Sequence, residues 1–249
     1  MSMKQIEPQA LLERLWPQRL CYSQEYMDLS RPEEIANRAI QCYTNEVGSC
    51  YAMTWVYPSW NTTSFIGYDK ELMRDVLREF GESEVSWSLP PGETMPDIRL
   101  RGLRKKAVEE SFAYEGPIPE APIDIHIQLL EKEAFEPLRA IAPRQDDLDH
   151  KPLAFAWVEE GRPLGYLACG PTAADIWDVG LIFTLPEHRG WGIATKLAYA
   201  YLKTMRERGL IPYYSGVSNP YSAKAAKKAG FQLCCTCHLY NYMRPKFKP

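Results

Sequence analysis

No apolar run in the 249 residues approaches the roughly 20 that a membrane-spanning helix requires, so no membrane partner is expected. Met1 to Glu13 mixes charged and polar residues and lacks the apolar centre of a secretory signal. A basic excess is missing too. The 29 Lys and Arg against 32 Asp and Glu leave a net charge of −3, which argues against nucleic acid as a partner. Seven cysteines, odd in number and irregularly spaced, exclude a disulfide framework and point to reduced thiols in the cytoplasm. Cys234-Cys235-x-Cys237-His238 carries the residue types of a zinc site. Strand alternation would send Cys235 and Cys237 to one face and Cys234 and His238 to the other, so no metal is expected. What is present is a globular composition. Hydrophobic residues at 45% and aromatics at 12% suffice for a packed core, in one large domain or two small ones.

In the first half, apolar spacing predicts a short helix from Leu11 to Trp16. Ser30-Arg31-Pro32-Glu33 reads as a capping box opening a second helix, with Ile35, Ala39 and Ile40 facing a core. Tyr51 to Tyr57 and Ser64 to Tyr68 are β-prone. Asp69 to Phe80 predicts a helix capped by Asp69, with Leu72, Met73, Val76, Leu77 and Phe80 in one apolar stripe, and ended by Gly81. Glu84 to Leu89 alternates as a strand, and Leu103 to Tyr114 reads as an amphipathic helix. Nothing in this half concentrates catalytic residue types.

Three prolines in Gly116-Pro117-Ile118-Pro119-Glu120-Ala121-Pro122 make a stiff, extended segment. It marks the expected boundary between an α/β domain at 1–120 and a second domain at 121–249. Beyond it, Ile123 to Leu129 alternates as a strand, and Ala134 to Ile141 reads as a short helix. Leu153 to Val158 and Leu164 to Cys169 flank a hairpin turn at Glu159 to Pro163. A β-branched run, Val179 to Thr184, then leads through a glycine-bearing turn into a helical pattern ending near Arg208. Strand, glycine turn and helix make an anion cradle. Glycine lets a ligand approach the backbone, and the free N–H groups and dipole of the helix start favour negative charge. Pro212 to Val217 follows as a strand, Asn219-Pro220 opens a helix ended by Gly230, and Phe231 to Tyr242 is a last strand.

Two motifs sit on these elements. Arg189-Gly190-Trp191-Gly192-Ile193-Ala194, after Pro186, fits Arg/Gln-x-x-Gly-x-Gly/Ala between strand and helix. Asn219, Ser222, Gly230 and Phe231 fit Asn-x-x-Ser/Ala followed by a helix ending in Gly-Phe. In both, the second half resembles the GNAT superfamily of N-acetyltransferases, some of which carry a further N-terminal domain. The resemblance implies an α/β fold with a mixed, mostly antiparallel sheet flanked by helices. It implies acetyl-CoA as co-substrate, with the pantetheine arm on Ile182, Phe183 and Thr184. The pyrophosphate would lie on Arg189, Gly190, Trp191, Gly192, Ile193, Ala194 and Thr195, with Asn219 and Ser222 contacting the arm. Transfer of acetyl to a small-molecule amine within a ternary complex is the expected reaction, so no enzyme nucleophile is needed.

The chain departs from the superfamily at two places. Where many members place a tyrosine as acid for the leaving thiolate, four residues before the glycine of Gly-Phe, this sequence has Ala226. Tyr221, Tyr213 and Tyr214 are nearby substitutes, and Asp178 and His188 are the nearest candidate bases. Without a catalytic acid, a non-catalytic acyl-CoA-binding module is the alternative. The second departure is a single strand after Phe231, where members commonly have two. The missing strand is expected from the first half, which would then help to complete the acceptor site.

Overall fold

The computed structural model describes residues 3–37 and 39–245. In chain order the elements are β1 (Lys4–Ile6), α1 (Pro8–Leu15), α2 (Ser23–Leu29), α3 (Pro32–Asn37), β2 (Ile40–Thr44), β3 (Tyr51–Val56), β4 (Asn61–Ile66), α4 (Lys70–Phe80), β5 (Ser83–Leu89) and β6 (Leu103–Ala113). There follow β7 (Ile127–Glu131), α5 (Glu136–Arg139), β8 (Leu153–Glu159), β9 (Arg162–Pro171), β10 (Ile176–Thr184), α6 (Ile193–Glu207), β11 (Ile211–Val217), α7 (Pro220–Ala229) and β12 (Gln232–Tyr242). None of the helices among the described residues is long and apolar enough to cross a membrane.

The chain forms two compact units, Met1–Glu109 with Cys234–Pro249, and Glu110–Leu233. The proline-rich segment at 116–122 thus lies inside the second unit. Both units follow one plan. In the first, β1, β2, β3 and β4 pair antiparallel in order, α4 crosses over, β5 pairs parallel with β4, and β12 pairs antiparallel with β5. In the second, β7, β8, β9 and β10 pair antiparallel, α6 crosses over, β11 pairs parallel with β10, and the end of β6 pairs antiparallel with β11. Each unit's sixth strand comes from the other half of the chain. The strand missing after Phe231 is therefore β6, whose Glu110, Phe112 and Ala113 face Val217, Tyr214 and Tyr213. This overturns the helix expected at Leu103–Tyr114. Val108 and Phe112 match a helical period, but the vacant edge of β11 supplies pairing that outweighs it.

Several local expectations hold. Asp69 caps α4 through the backbone N–H groups of Glu71 and Leu72, and Gly81 ends it at φ 75°. Glu160 and Gly161 form the β8–β9 turn with φ of 49° and 76°, as a type I′ hairpin demands. Others do not. Ser30 closes α2 by donating to the carbonyl of Tyr26, rather than opening the next helix. Ile40 starts β2, after Ala39 turns the chain at φ 44°. The strand expected at Ile123–Leu129 begins at Ile127, because Asp124 instead makes a turn that accepts the N–H of His126.

α6 is the spine of the second unit. Its buried face, Ile193, Leu197, Ala198, Tyr201, Leu202 and Met205, shares a core with Phe155, Leu167, Val179, Tyr214 and Phe231. β9 approaches its start closely. A Cβ at Gly165 would stand 2.8 Å from the carbonyl oxygen of Phe183 and 3.1 Å from Ile193 Cγ2. Gly165→Val is therefore expected to cost about 1–3 kcal/mol through displaced backbone, seen as a Tm lower by several degrees. An unchanged melting curve would contradict this packing.

Candidate active site

β10 pairs with β9 along its length but with β11 at only three positions, Ile176↔Ile211, Trp177↔Pro212 and Asp178↔Tyr213. Beyond Asp178 the two parallel strands diverge. Side chains satisfy the backbone where the ladder stops, as buried polar groups require. The buried hydroxyl of Tyr201 donates to the carbonyl of Trp177 and accepts the N–H of Tyr213 at 3.2 Å. Asp178 accepts the N–H of Ser215 at 3.0 Å and its hydroxyl at 2.5 Å. Tyr201 and Asp178 thus clamp the vertex of the opening. Gly180 forms a bulge between Val179 and Leu181 just past it.

A cavity of about 850 Å³ fills the opening, lined by β10 from Val179 to Thr184 and by β11 from Tyr214 to Val217. Its far end is the start of α6. That helix begins with Gly192 at φ 83° and no side-chain cap, unlike α4 with its Asp69. Gly190 has φ 86°, and a Cβ on either glycine would meet nothing within 4 Å. Uncapped N–H groups facing open space are a ready anion cradle. Two polar atoms on the wall, Thr184 Oγ1 and His188 Nδ1, are buried without a hydrogen-bond partner among the described residues. Lys224 and Lys228 of α7 also line the cavity and add positive charge.

Of the residues named from sequence, Ile182, Phe183, Thr184, Arg189, Gly190, Gly192, Ile193, Ala194, Thr195, Asn219 and Ser222 line this cavity, as do His188 and Tyr221. Trp191 is not among the lining residues; it is 62% exposed with His188 set edge-on to it at 5.0 Å. Asn219 caps α7 through the N–H of Tyr221 at 2.8 Å. Tyr221 itself is 81% exposed, and its hydroxyl has no hydrogen-bond partner among the described residues. Asp178 stands behind the wall, and Ser215, which does line the cavity, connects it to the space. Burial pushes the Asp178 carboxyl up to about 6, against the opposing pull of the Ser215 hydrogen bonds.

Ser215 was not singled out from sequence, whereas Tyr214 was one of the three nearby tyrosines. The Tyr214 hydroxyl lies 2.7 Å from Ser222 Oγ, and burial raises its pKa and keeps it protonated. Ala226, where the resemblance to N-acetyltransferases would lead one to expect tyrosine, is fully buried in the core.

Residues 120–231 match the model of the acetyltransferase (GNAT) family. Solved structures with the same fold include a GNAT-family acetyltransferase from Colwellia psychrerythraea, 16% identical with a TM-score of 0.54 over 97% of this chain and 100% of that one. A Drosophila protein aligns with a TM-score of 0.56 at 12% identity over 97% of this chain and 98% of its own. A tandem GNAT protein of the clavulanic acid pathway, 10% identical, aligns over 99% of both chains with a TM-score of 0.52. No curated protein matches the sequence.

Proposed function

With residues 120–231 forming a GNAT acetyltransferase domain, we propose that the protein transfers acetyl from acetyl-CoA to a primary amine by direct attack in a ternary complex. The observation that carries this reading is the wedge between β10 and β11, which ends at the uncapped start of α6. Its residues fit a coenzyme A thioester. Ile182 and Phe183 offer an apolar wall, and the backbone of β10 beyond Asp178 is free of β11 to pair with an amide-bearing arm. The N–H groups at the start of α6, from Gly192 to Thr195, would take the pyrophosphate, and Lys224 and Lys228 add attraction for phosphate. No metal is proposed, and the cytoplasm is the proposed setting.

Acetyl-CoA supplies an acyl carbon open to attack, with the thiol as leaving group. Ser215 is the residue placed to take the proton from the amine, passing its own to Asp178 across their 2.5 Å hydrogen bond. A carboxylate titrating near 6 is a weak base for a free ammonium. It suffices once the nitrogen has begun to bond to carbon, because that N–H is then far more acidic. At the other end of the step, Tyr214, paired with Ser222, is the donor for the departing sulfur. It takes the part that Ala226 cannot play.

Incubating the protein with acetyl-CoA and a panel of primary amines tests the reading, with free thiol and acetylated amine both measured. One equivalent of thiol per acetylated amine is expected, with kcat at least tenfold lower in Tyr214→Phe. Tight acetyl-CoA binding with no thiol release from any amine would favour the non-catalytic module that Ala226 suggests.

A further inference from the structure

Two glycines on neighbouring strands have no conformational reason to be glycine. Gly170 of β9 and Gly180 of β10 are not among the residues at positive φ. Glycine inside a strand loses more backbone entropy on folding than any other residue. Space accounts for both. A Cβ at Gly180 would lie 2.0 Å from Lys151 Cε and 2.2 Å from its Nζ. One at Gly170 would lie 3.1 Å from Pro152 Cδ and 3.8 Å from Lys151 Cδ. The two bare backbones form a trough for the stem of Lys151, which ends at the β-bulge.

That ammonium has no ion-pair partner among the described residues. Asp178 feels its charge, but the Asp178 oxygens already accept the N–H and the hydroxyl of Ser215. The place matters as much as the charge. Gly180 lines the cavity two residues past the last pair of the vertex. It lies four residues before Thr184, roughly 13 Å along the strand from the anion cradle. An anion met by Lys151 is therefore not a phosphate held at the cradle. Lys151 is not itself among the lining residues, so the anion that meets its ammonium is one carried to the vertex, where Gly180 lines the cavity.

We propose that Lys151 is a specificity-determining residue that binds a carboxylate of the acceptor, so that the acceptor is an amino acid rather than a simple amine. The proposal rests on the acetyl-transfer reading above. A net charge of −3 for the whole chain does not oppose this, because a local seated charge decides what a pocket accepts.

Matched pairs test it: glycine with glycinamide, and phenylalanine with phenylalaninamide, assayed at saturating acetyl-CoA in wild type, Lys151→Met and Gly180→Ala. The free acid of at least one pair is expected to have a kcat/KM at least tenfold above its amide. Lys151→Met should bring the two within about twofold through KM, and Lys151→Arg should restore part of the preference. Gly180→Ala, which displaces the lysine without removing its charge, should act as Lys151→Met does. Calorimetric titration of the corresponding N-acetylated product, acid against amide, gives a readout independent of turnover and should show the same loss. Equal use of acid and amide would overturn the proposal, as would an equal fall in kcat for both in Lys151→Met, or absence of product binding in wild type. Failure of acetyl-CoA to bind wild type would instead overturn the acetyl-transfer reading.

Discussion

Ser215→Ala is expected to lower kcat about 100-fold while leaving the affinity for acetyl-CoA unchanged, the size of a lost general base. The serine hydroxyl is the group that joins the cavity to Asp178. Asp178→Asn isolates the charge from the geometry, since an amide oxygen can still accept the N–H of Ser215. For wild type, kcat should rise with pH through about 6, as the Asp178 carboxyl ionises, and then level off. In Asp178→Asn that rise should vanish and kcat should stay low throughout. Stability carries the opposite sign. The folded pKa lies above the ordinary 3.8, so Asp178 contributes stability that is fully present below about 4 and is lost as pH rises through about 6. The asparagine variant should lack this loss. Denaturant melts between pH 4 and pH 8 would show it, and parallel curves for both proteins would place the titration on another group.

Gly192→Leu is expected to weaken acetyl-CoA binding at least 100-fold, about 2.7 kcal/mol, while lowering Tm by only a few degrees. A Cβ there meets no protein atom within 4 Å, so the fold has room for it. The cost to folding is the left-handed backbone at φ 83°, about 1–2 kcal/mol for an L-residue. The cost to binding is larger because the side chain enters the cradle. Calorimetric titration together with a thermal melt separates the two. A collapse of Tm would mean that the glycine serves the fold rather than the ligand.

The cradle was legible in the sequence because it is local. Strand, turn and helix follow one another from Ile176 to Glu207, and glycine at 190 and 192 marks the turn. The β8–β9 hairpin and the Asp69 cap were legible for the same reason. What was hidden depends on partners far apart in the chain. Nothing near Leu103–Ala113 signals that it will pair with β11, about a hundred residues on, so its periodicity read as helix. Tyr201, which joins the clamp at the vertex, reads as one more apolar position on α6. Ser215 carries no motif and gains meaning only when the strands part above it, and the same parting is what distinguishes Tyr214 from Tyr213 and Tyr221 as donor. Lys151 lies outside any element, and the two glycines that seat it look like ordinary strand irregularities.

The repeated plan of the two units sharpens the central claim. In the first unit β4 and β5 stay paired from Asn61↔Ser83 to Phe65↔Trp87, and the start of α4 is filled by the Asp69 carboxylate. Among the described residues, the second unit combines an open wedge with an uncapped helix start and the first does not. Titration of acetyl-CoA into wild type and Gly192→Leu tests this most directly. One equivalent per chain in wild type, lost or weakened at least 100-fold in the variant, is the predicted result. A second equivalent, or unchanged binding in Gly192→Leu, would contradict it.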